Sequence, residues 1–344
     1  MRAPSRPSTG ALLTRSLIIA PQWIGDAVMS EPLLAQLAAR GERLAVAALP
    51  WVAPVYRAMP QVDEVIELPF AHGKLDWLAR RRIATKLAGR FDTAYVLPNS
   101  FKSALVPWFA GIAHRVGYLG EWRWGLLNKQ LPNIPGRPPM VGYYSALAGR
   151  DATGAKPPCL RLDEATLAAT CARYEVKPNA YWVFAPGAEY GPAKRWPATH
   201  YAKLARSLYG DSGQQVLLLG SSKETPLCES IAQAVPDGCR VMAGRTTLFD
   251  AMSLIAQARG MVSNDSGLMH VAAAFGIRQV AIFGSSSPEH TPPLNRKARV
   301  LWLKEELQLD CAPCFDRVCR FGHTRCLTEL PPKRVATALA QTQH

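Results

Sequence analysis

No run of 18 apolar residues occurs anywhere in this sequence; the longest apolar stretches, such as Val216–Leu219, are strand-sized and end at glycine or a polar residue. A membrane-spanning helix is thereby excluded. Arg2, Arg6 and Arg15 precede Leu17-Ile18-Ile19-Ala20, but Pro21, Gln22 and Asp26 break the apolar run after Ala20. An apolar core of about four residues is too short for a secretion signal, so a cytoplasmic protein is expected. GxGxxG is also missing, which leaves nicotinamide-dinucleotide binding with little support. No DxD-like pair stands at a strand end to bind a metal. Acidic side chains are the scarcer charge, 26 against 40 Lys and Arg, for a net charge of +14. With 19% charged and 48% hydrophobic residues, a disordered chain is ruled out.

The positive excess is spread evenly: residues 1–165 carry 20 basic and 12 acidic side chains, and residues 166–344 carry 20 and 14. The one tight basic run is Arg80-Arg81-Arg82. Such a distribution suits anionic substrates or an acidic membrane surface better than a nucleic-acid stripe. At 344 residues the chain has the length of two domains. Leu17–Ala20, Leu44–Leu49, Glu64–Leu68 and Thr93–Leu97 read as strands, with a helix over Leu75–Ala88. Proline-rich Asn133–Pro139 and Ala155–Pro158 mark a break. The rhythm then restarts with strands Tyr181–Ala185, Gln215–Leu219, Gly260–Ser263 and Gln279–Phe283. Between them lie helical stretches Tyr201–Leu208, Leu227–Val235, Leu248–Ala258 and Leu268–Ala274, and Pro331–Gln343 closes the chain as a last helix. Strands alternating with helices imply parallel βαβ units in two doubly wound α/β halves joined near residue 165, with a ligand cleft at the carboxyl ends of their sheets. No internal repeat is visible residue by residue.

Three loops carry groups suited to chemistry. Strand Leu17–Ala20 runs into Pro21-Gln22-Trp23-Ile24-Gly25-Asp26, where Asp26 sits at a helix start. It reads as a helix cap, as a general base aimed into the cleft, or as both. Ala185–Pro197 is punctuated by glycine and proline and ends on Lys194 and Arg195, so that backbone amides and a cation can reach phosphate oxygens. Ser263–His270 follows a strand and opens a helix at Ser266-Gly267, an arrangement that favours anions, with His270 one turn further on. The last two, on loops after strands of one sheet, together describe a nucleotide-diphosphate pocket.

Four blocks, Trp23-Ile24-Gly25-Asp26, Leu97–Gly111, Pro186–Pro197, and Asn264–Ala274 with Ser286–Leu294, resemble the ADP-heptose–lipopolysaccharide heptosyltransferases of glycosyltransferase family nine. They span residues 17 to about 300. Leu97–Gly111 and Pro186–Pro197 resemble the heptosyltransferase II branch, and Glu189 stands where heptosyltransferase I resembles Thr-Thr. The resemblance implies a GT-B fold, two Rossmann-like doubly wound domains facing across a cleft. Residues 1–165 would bind the acceptor, residues 166–330 the ADP-heptose, and residues 331–344 would form a terminal helix. It implies inverting transfer of L-glycero-D-manno-heptose from ADP-heptose to the first heptose of the inner core, carried on Kdo-lipid A. The catalytic residues it implies are Asp26 and Lys194. The donor-binding residues are Gly187, Glu189, Lys194, Arg195, Ser221, Lys223, Asp265, Ser266, Gly267, Leu268 and His270. Asn99, Ser100 and Lys102 are placed on the acceptor side from their position. No cofactor and no nucleic acid are implied, and the lipid-anchored acceptor implies peripheral contact with the anionic cytosolic face of the inner membrane.

Cys311, Cys314, Cys319 and Cys326, with His323 among them, have gaps compatible with a structural zinc site; reduced or adventitiously oxidised thiols are the other reading. The alternatives to the transfer reaction are a heptosyltransferase of different acceptor specificity (I or III), a GT-B nucleotide-sugar epimerase, and a nucleotide-sensing or nucleic-acid-binding module favoured by net charge alone.

Overall fold

The computed structural model describes residues 14–70, 74–149 and 156–341. Arg2, Arg6, Ala155 and Gln343, on which parts of the sequence reading fall, lie outside them. Within the described residues, β1 (Arg15–Ile19), β2 (Arg43–Ala48), β3 (Glu64–Glu67), β4 (Thr93–Val96), β5 (His114–Tyr118) and β6 (Lys129–Leu131) form one parallel sheet in the order β3-β2-β1-β4-β5-β6. A second parallel sheet holds β7 (Trp182–Ala185), β8 (Val216–Leu218), β9 (Cys239–Val241), β10 (Gly260–Asn264), β11 (Gln279–Phe283) and β12 (Ala298–Trp302), in the order β12-β11-β10-β7-β8-β9. Read from its own first strand, the second sheet repeats the strand order of the first, a repeat of topology that the residues do not display.

The first half carries α1 (Ile24–Met29), α2 (Glu31–Ala38), α3 (Ala53–Arg57), α4 (Trp77–Leu87), α5 (Leu105–Phe109) and α6 (Met140–Ser145). α7 (Glu164–Arg173), α8 (Ala198–Ser212), α9 (Thr225–Ala234), α10 (Leu248–Ala256), α11 (Gly267–Ala274), α12 (Arg325–Thr328) and α13 (Pro332–Ala340) follow. Helices on both faces leave the inner strands wholly buried, which is why Val216-Leu217-Leu218 and Val280–Phe283 are continuous apolar runs. Four strands escape the sequence reading. β5 begins His-Arg, β6 and β9 have three residues each, and β12 is an edge strand with two exposed positions.

In both sheets the strand order reverses beside the first strand, between β1 and β4 and between β7 and β10. Doubly wound sheets bind ligands there, beyond the carboxyl ends of the strands. One buried apolar cluster runs through both halves, joining Val28, Val55 and Tyr144 to Met252, Val271 and Ala272. The connecting chain is hydrogen-bonded to both halves. The Leu160 amide donates to the Ala274 carbonyl at 3.1 Å and the Arg161 amide to the Ala58 carbonyl at 2.7 Å. α1 packs directly on α11. A Cβ on Gly25 would lie 2.9 Å from His270 Cδ2, and one on Gly267 would lie 2.8 Å from Ile24 Cβ and 3.3 Å from the Gly25 nitrogen. Glycine at both positions is what lets the two helix starts touch.

Gly267→Ala is therefore expected to destabilise the protein by about 1–3 kcal/mol through overpacking. The fall should appear at the same temperature in tryptophan fluorescence and far-UV circular dichroism, because the core is continuous across the halves. An unchanged Tm would mean that the helix starts are not in contact.

Candidate active site

A cavity of about 680 Å³ opens between the carboxyl ends of the two sheets. Gln22, Trp23, Ile24, Gly25 and Trp51 form its wall on the first half. On the second half the wall comes from the loops after β7, β8 and β10, including Gly187, Glu189, Ser221, Lys223, Ser266 and Gly267, and from the start of α10 at Thr247 and Leu248. Its size and apolar lining with few polar groups are those of a small-molecule site.

The second-half wall is held in shape by two devices. Fully buried Asn264, the last residue of β10, fastens the loop after β7. Its Nδ2 donates to the Pro186 and Gly187 carbonyls at 2.7 and 3.2 Å, and its Oδ1 accepts from the Trp196 amide at 2.9 Å and from the Tyr201 hydroxyl at 3.2 Å. At the next loop the Glu224 carboxylate accepts from the Ser221 amide at 2.8 Å and from its hydroxyl at 3.1 Å. This closes a capping box at the short turn that leads into α9. The Glu224 side chain fills the space beside Gly187, where a Cβ would come within 1.7 Å of it. Lys223 and Glu189 pair at 2.9 Å on the exposed rim.

Beyond the cavity, next to Gly25 and Ser266, lies a group of ionisable side chains. Lys194 Nζ sits 2.5 Å from Asp265 Oδ2, both largely buried. Asp26 is in the first turn of α1, whose capping position is Trp23, so it is not the helix cap that its place in the sequence suggests. The helix starts two residues earlier than expected, which places the aspartate inside its first turn. Burial pushes its carboxyl up to about 6; a hydrogen bond from Tyr144 and the charge of Lys194 offset part of the rise, while Asp265 adds to it. His270 is buried, and desolvation together with Lys194 outweighs Asp265 to bring its pKa down to about 4, so it is neutral near pH 7. Ser266 Oγ, at the start of α11, is buried without a hydrogen-bond partner among the described residues. The cluster thus offers a carboxylate that titrates near neutrality, a fixed cation and an unsatisfied hydroxyl beside free helix amides.

Of the expected donor residues, Gly187, Glu189, Ser221, Lys223, Ser266, Gly267 and Leu268 line the cavity. Lys194, Asp265 and His270 stand behind it in the charged cluster, and Arg195 donates to the Ala188 carbonyl at 3.3 Å. On the expected acceptor side, Asn99 donates to the Tyr143 hydroxyl at 2.7 Å and accepts from Arg123 at 3.2 Å, while the carbonyls of Ser100 and Lys102 accept from Ser103 and Arg80. All three follow β4, and none lines the cavity. Tyr144, Asn264, Trp51 and Thr247 were not foreseen. Tyr144 reaches Asp26 from 118 positions away, and Asn264 reads in sequence as one more polar residue after a strand.

Cys311, Cys314, Cys319 and Cys326 are free thiols around one small pocket that also includes His323. Burial raises the Cys326 thiol to about 11. Burial also acts on Cys319, but amides including those of Thr324 and Phe321 outweigh it and lower that thiol. Among the described residues, no group of three or more His, Cys, Asp or Glu side chains is arranged to hold a metal ion. Of the two readings of the spacing, free thiols are what the structure shows, gathered around that pocket.

Residues 80–325 match the family described as Glycosyltransferase family 9 (heptosyltransferase). The chain is 45% identical over 305 residues to the lipopolysaccharide heptosyltransferase 2 of Escherichia coli K12, covering 83% of this chain and 87% of that one. It is 42% identical over 307 residues to the lipooligosaccharide heptosyltransferase 2 of Haemophilus influenzae, covering 84% and 88%. The solved structure of E. coli ADP-heptose lps heptosyltransferase II superposes with a TM-score of 0.84 at 39% identity, over 96% of this chain and 98% of that one.

The raised Asp26 pKa fixes the sign of a stability change. The folded chain binds this proton more tightly than the unfolded chain, whose carboxyl titrates near 3.8, so the group costs stability as pH rises through about 6. Asp26→Asn, which keeps the shape, should raise stability at pH 8 by up to about 3 kcal/mol. The gain should shrink toward zero below about pH 3, where both states are protonated. Melting curves at the two pH values measure it; an equal effect at both would mean that the carboxyl is not held in a desolvated place.

Proposed function

The chain belongs to glycosyltransferase family 9, the heptosyltransferases, and on that basis we propose that it transfers L-glycero-D-manno-heptose, with inversion, from ADP-heptose to the first heptose of the lipopolysaccharide inner core. The acceptor is Kdo-lipid A carrying one heptose, met at the cytosolic face of an anionic membrane by an enzyme that is otherwise cytoplasmic. Residues 1–165 present the acceptor and residues 166–330 hold the donor. ADP-heptose is a substrate, and we assign the reaction no cofactor and the protein no nucleic-acid partner.

The observation that carries this reading is the position of Asp26, beside the cavity and within electrostatic reach of Lys194. In the reaction, an acceptor hydroxyl oxygen bonds to the anomeric carbon of the heptose as the bond from that carbon to the ADP oxygen breaks. The hydroxyl proton goes to the Asp26 carboxylate, a transfer helped by a pKa raised toward the operating pH. Tyr144 is the positioning residue that holds the carboxylate through its hydrogen bond. Negative charge grows on the departing pyrophosphate, where Lys194 and the amides at the start of α11 stabilise it. Asp265 anchors Lys194 there through the ion pair, and neutral His270 fills the space behind Gly25 without adding charge. The loops around Gly187, Ser221, Lys223 and Leu248 surround the nucleoside.

Mass spectrometry of mono-heptosylated Kdo-lipid A incubated with ADP-heptose and the protein tests the reading. The expected result is an acceptor heavier by one heptose, with ADP released, and a rate lower by about 100- to 10,000-fold in Asp26→Asn. Transfer to a heptose-free acceptor in its place, or an epimerised ADP-sugar with the acceptor unchanged, would overturn it.

A further inference from the structure

A group of exposed apolar side chains gathers at the carboxyl edge of the first sheet. Trp122 is 80% exposed, Trp124 70% and Leu78 70%. Trp77 and Trp108 add two partly exposed rings that both pack on Phe109, with centroids 4.8 and 5.0 Å away. Three segments carry these residues: α4, the stretch 101–109 and the loop 119–124, which follow β3, β4 and β5. They are tied into one surface. The Arg80 guanidinium donates to the Lys102 carbonyl at 3.0 Å, the Phe101 amide donates to the Glu121 carboxylate at 2.8 Å, and Trp122 packs edge-on to Trp124 at 5.5 Å.

Soluble surfaces seldom leave so many large rings together without a partner, and tryptophan, apolar on its faces and polar at its N–H, is the side chain most at home between water and lipid. Trp122 is also held at φ 56°, a left-handed conformation that is costly for so bulky a residue, and Glu121 before it at φ 39°. The charge around the rings has one prevailing sign. Arg81 and Arg82 stand three and four positions after Leu78, on the same face of α4, both exposed and free of ion pairs with the described residues. The nearby carboxylates are Asp76, next to exposed Lys74, and Glu121, engaged by the Phe101 amide.

We propose that this surface docks on an anionic lipid bilayer, the tryptophans entering the headgroup layer and Arg81 and Arg82 lying against the lipid phosphates. The proposal rests on the reading that the acceptor is lipid-anchored, and it adds which face of the protein meets the membrane. The same sheet edge delivers α1 and Asp26 from β1, so docking sets the mouth of the cleft at the bilayer, where an acceptor held by its acyl chains reaches the carboxylate without leaving the membrane.

The test uses vesicles of phosphatidylethanolamine with phosphatidylglycerol, and of phosphatidylcholine alone, read by co-sedimentation and by tryptophan emission. The full chain should bind the anionic vesicles at low salt with a blue shift, and the neutral ones far more weakly. Arg81→Gln/Arg82→Gln should lower that affinity by about thirtyfold, and Trp122→Ser/Trp124→Ser should remove most of the blue shift. Both variants should keep wild-type turnover on a deacylated, water-soluble acceptor and lose it on acceptor embedded in vesicles. Turnover on the soluble acceptor reports the transfer reaction independently of docking, so failure of that reaction in the wild type is distinguishable from failure of this proposal. No binding to anionic vesicles, or unchanged vesicle affinity in both variants, as expected if the patch meets a protein, would overturn it. So would loss of turnover on the soluble acceptor in a folded variant.

Discussion

Two helix starts touch because neither has a side chain at the point of contact. α1 belongs to the first sheet and α11 to the second, and they meet at Gly25 and Gly267, where a Cβ on either would collide with its neighbour. Everything else in the cleft follows from that approach. It brings Asp26 into the field of Lys194 and Asp265, which lie on the other half. It also sets the first turn of α11, with the unsatisfied Ser266 hydroxyl, against the wall of the cavity. The linker hydrogen bonds from Leu160 and Arg161 and the shared apolar core keep the halves in this relation.

The local chemistry works against stability and is tolerated because its surroundings are overdetermined. A carboxylate in a largely dehydrated place is expensive, and the Tyr144 hydrogen bond and the Lys194 charge recover part of that cost. Lys194 and Asp265 would each be unfavourable alone at their depth; as a pair at 2.5 Å they keep a cation beside the cavity. Asn264 contributes no charge, yet with four hydrogen bonds it fixes the loop that carries Gly187 and leads to Lys194. Burial keeps His270 neutral, so the positive charge of the cluster comes from one side chain in a defined place.

Much of this was legible in the residues. Buried parallel strands leave continuous apolar runs, so β7, β8, β10 and β11 could be read within a residue or so, and β11 to the residue. Glycines after strands marked the loops that now face the cavity. What could not be read are contacts made across long separations and elements too short or too polar to leave a pattern. β6 contains Lys129 and Gln130 within three residues, and β12 is half exposed. Tyr144 looked like part of a break between halves, and only folding places its hydroxyl at Asp26. The cysteine spacing left metal and free thiols both open, because spacing along the chain does not fix how the thiols are arranged around their pocket.

In the proposed reaction Asp26, its pKa raised by burial, is the base. The direct measurement is kcat/KM for heptose transfer from about pH 4.5 to 9, because this ratio reports the ionisation of the free enzyme. The account predicts an acid limb of unit slope with its midpoint near 6, the value at which the Asp26 carboxyl titrates, and no such limb in the residual activity of Asp26→Asn. A wild-type rate that stays flat from pH 5 to 7, or a limb near 6 that persists in Asp26→Asn, would contradict it.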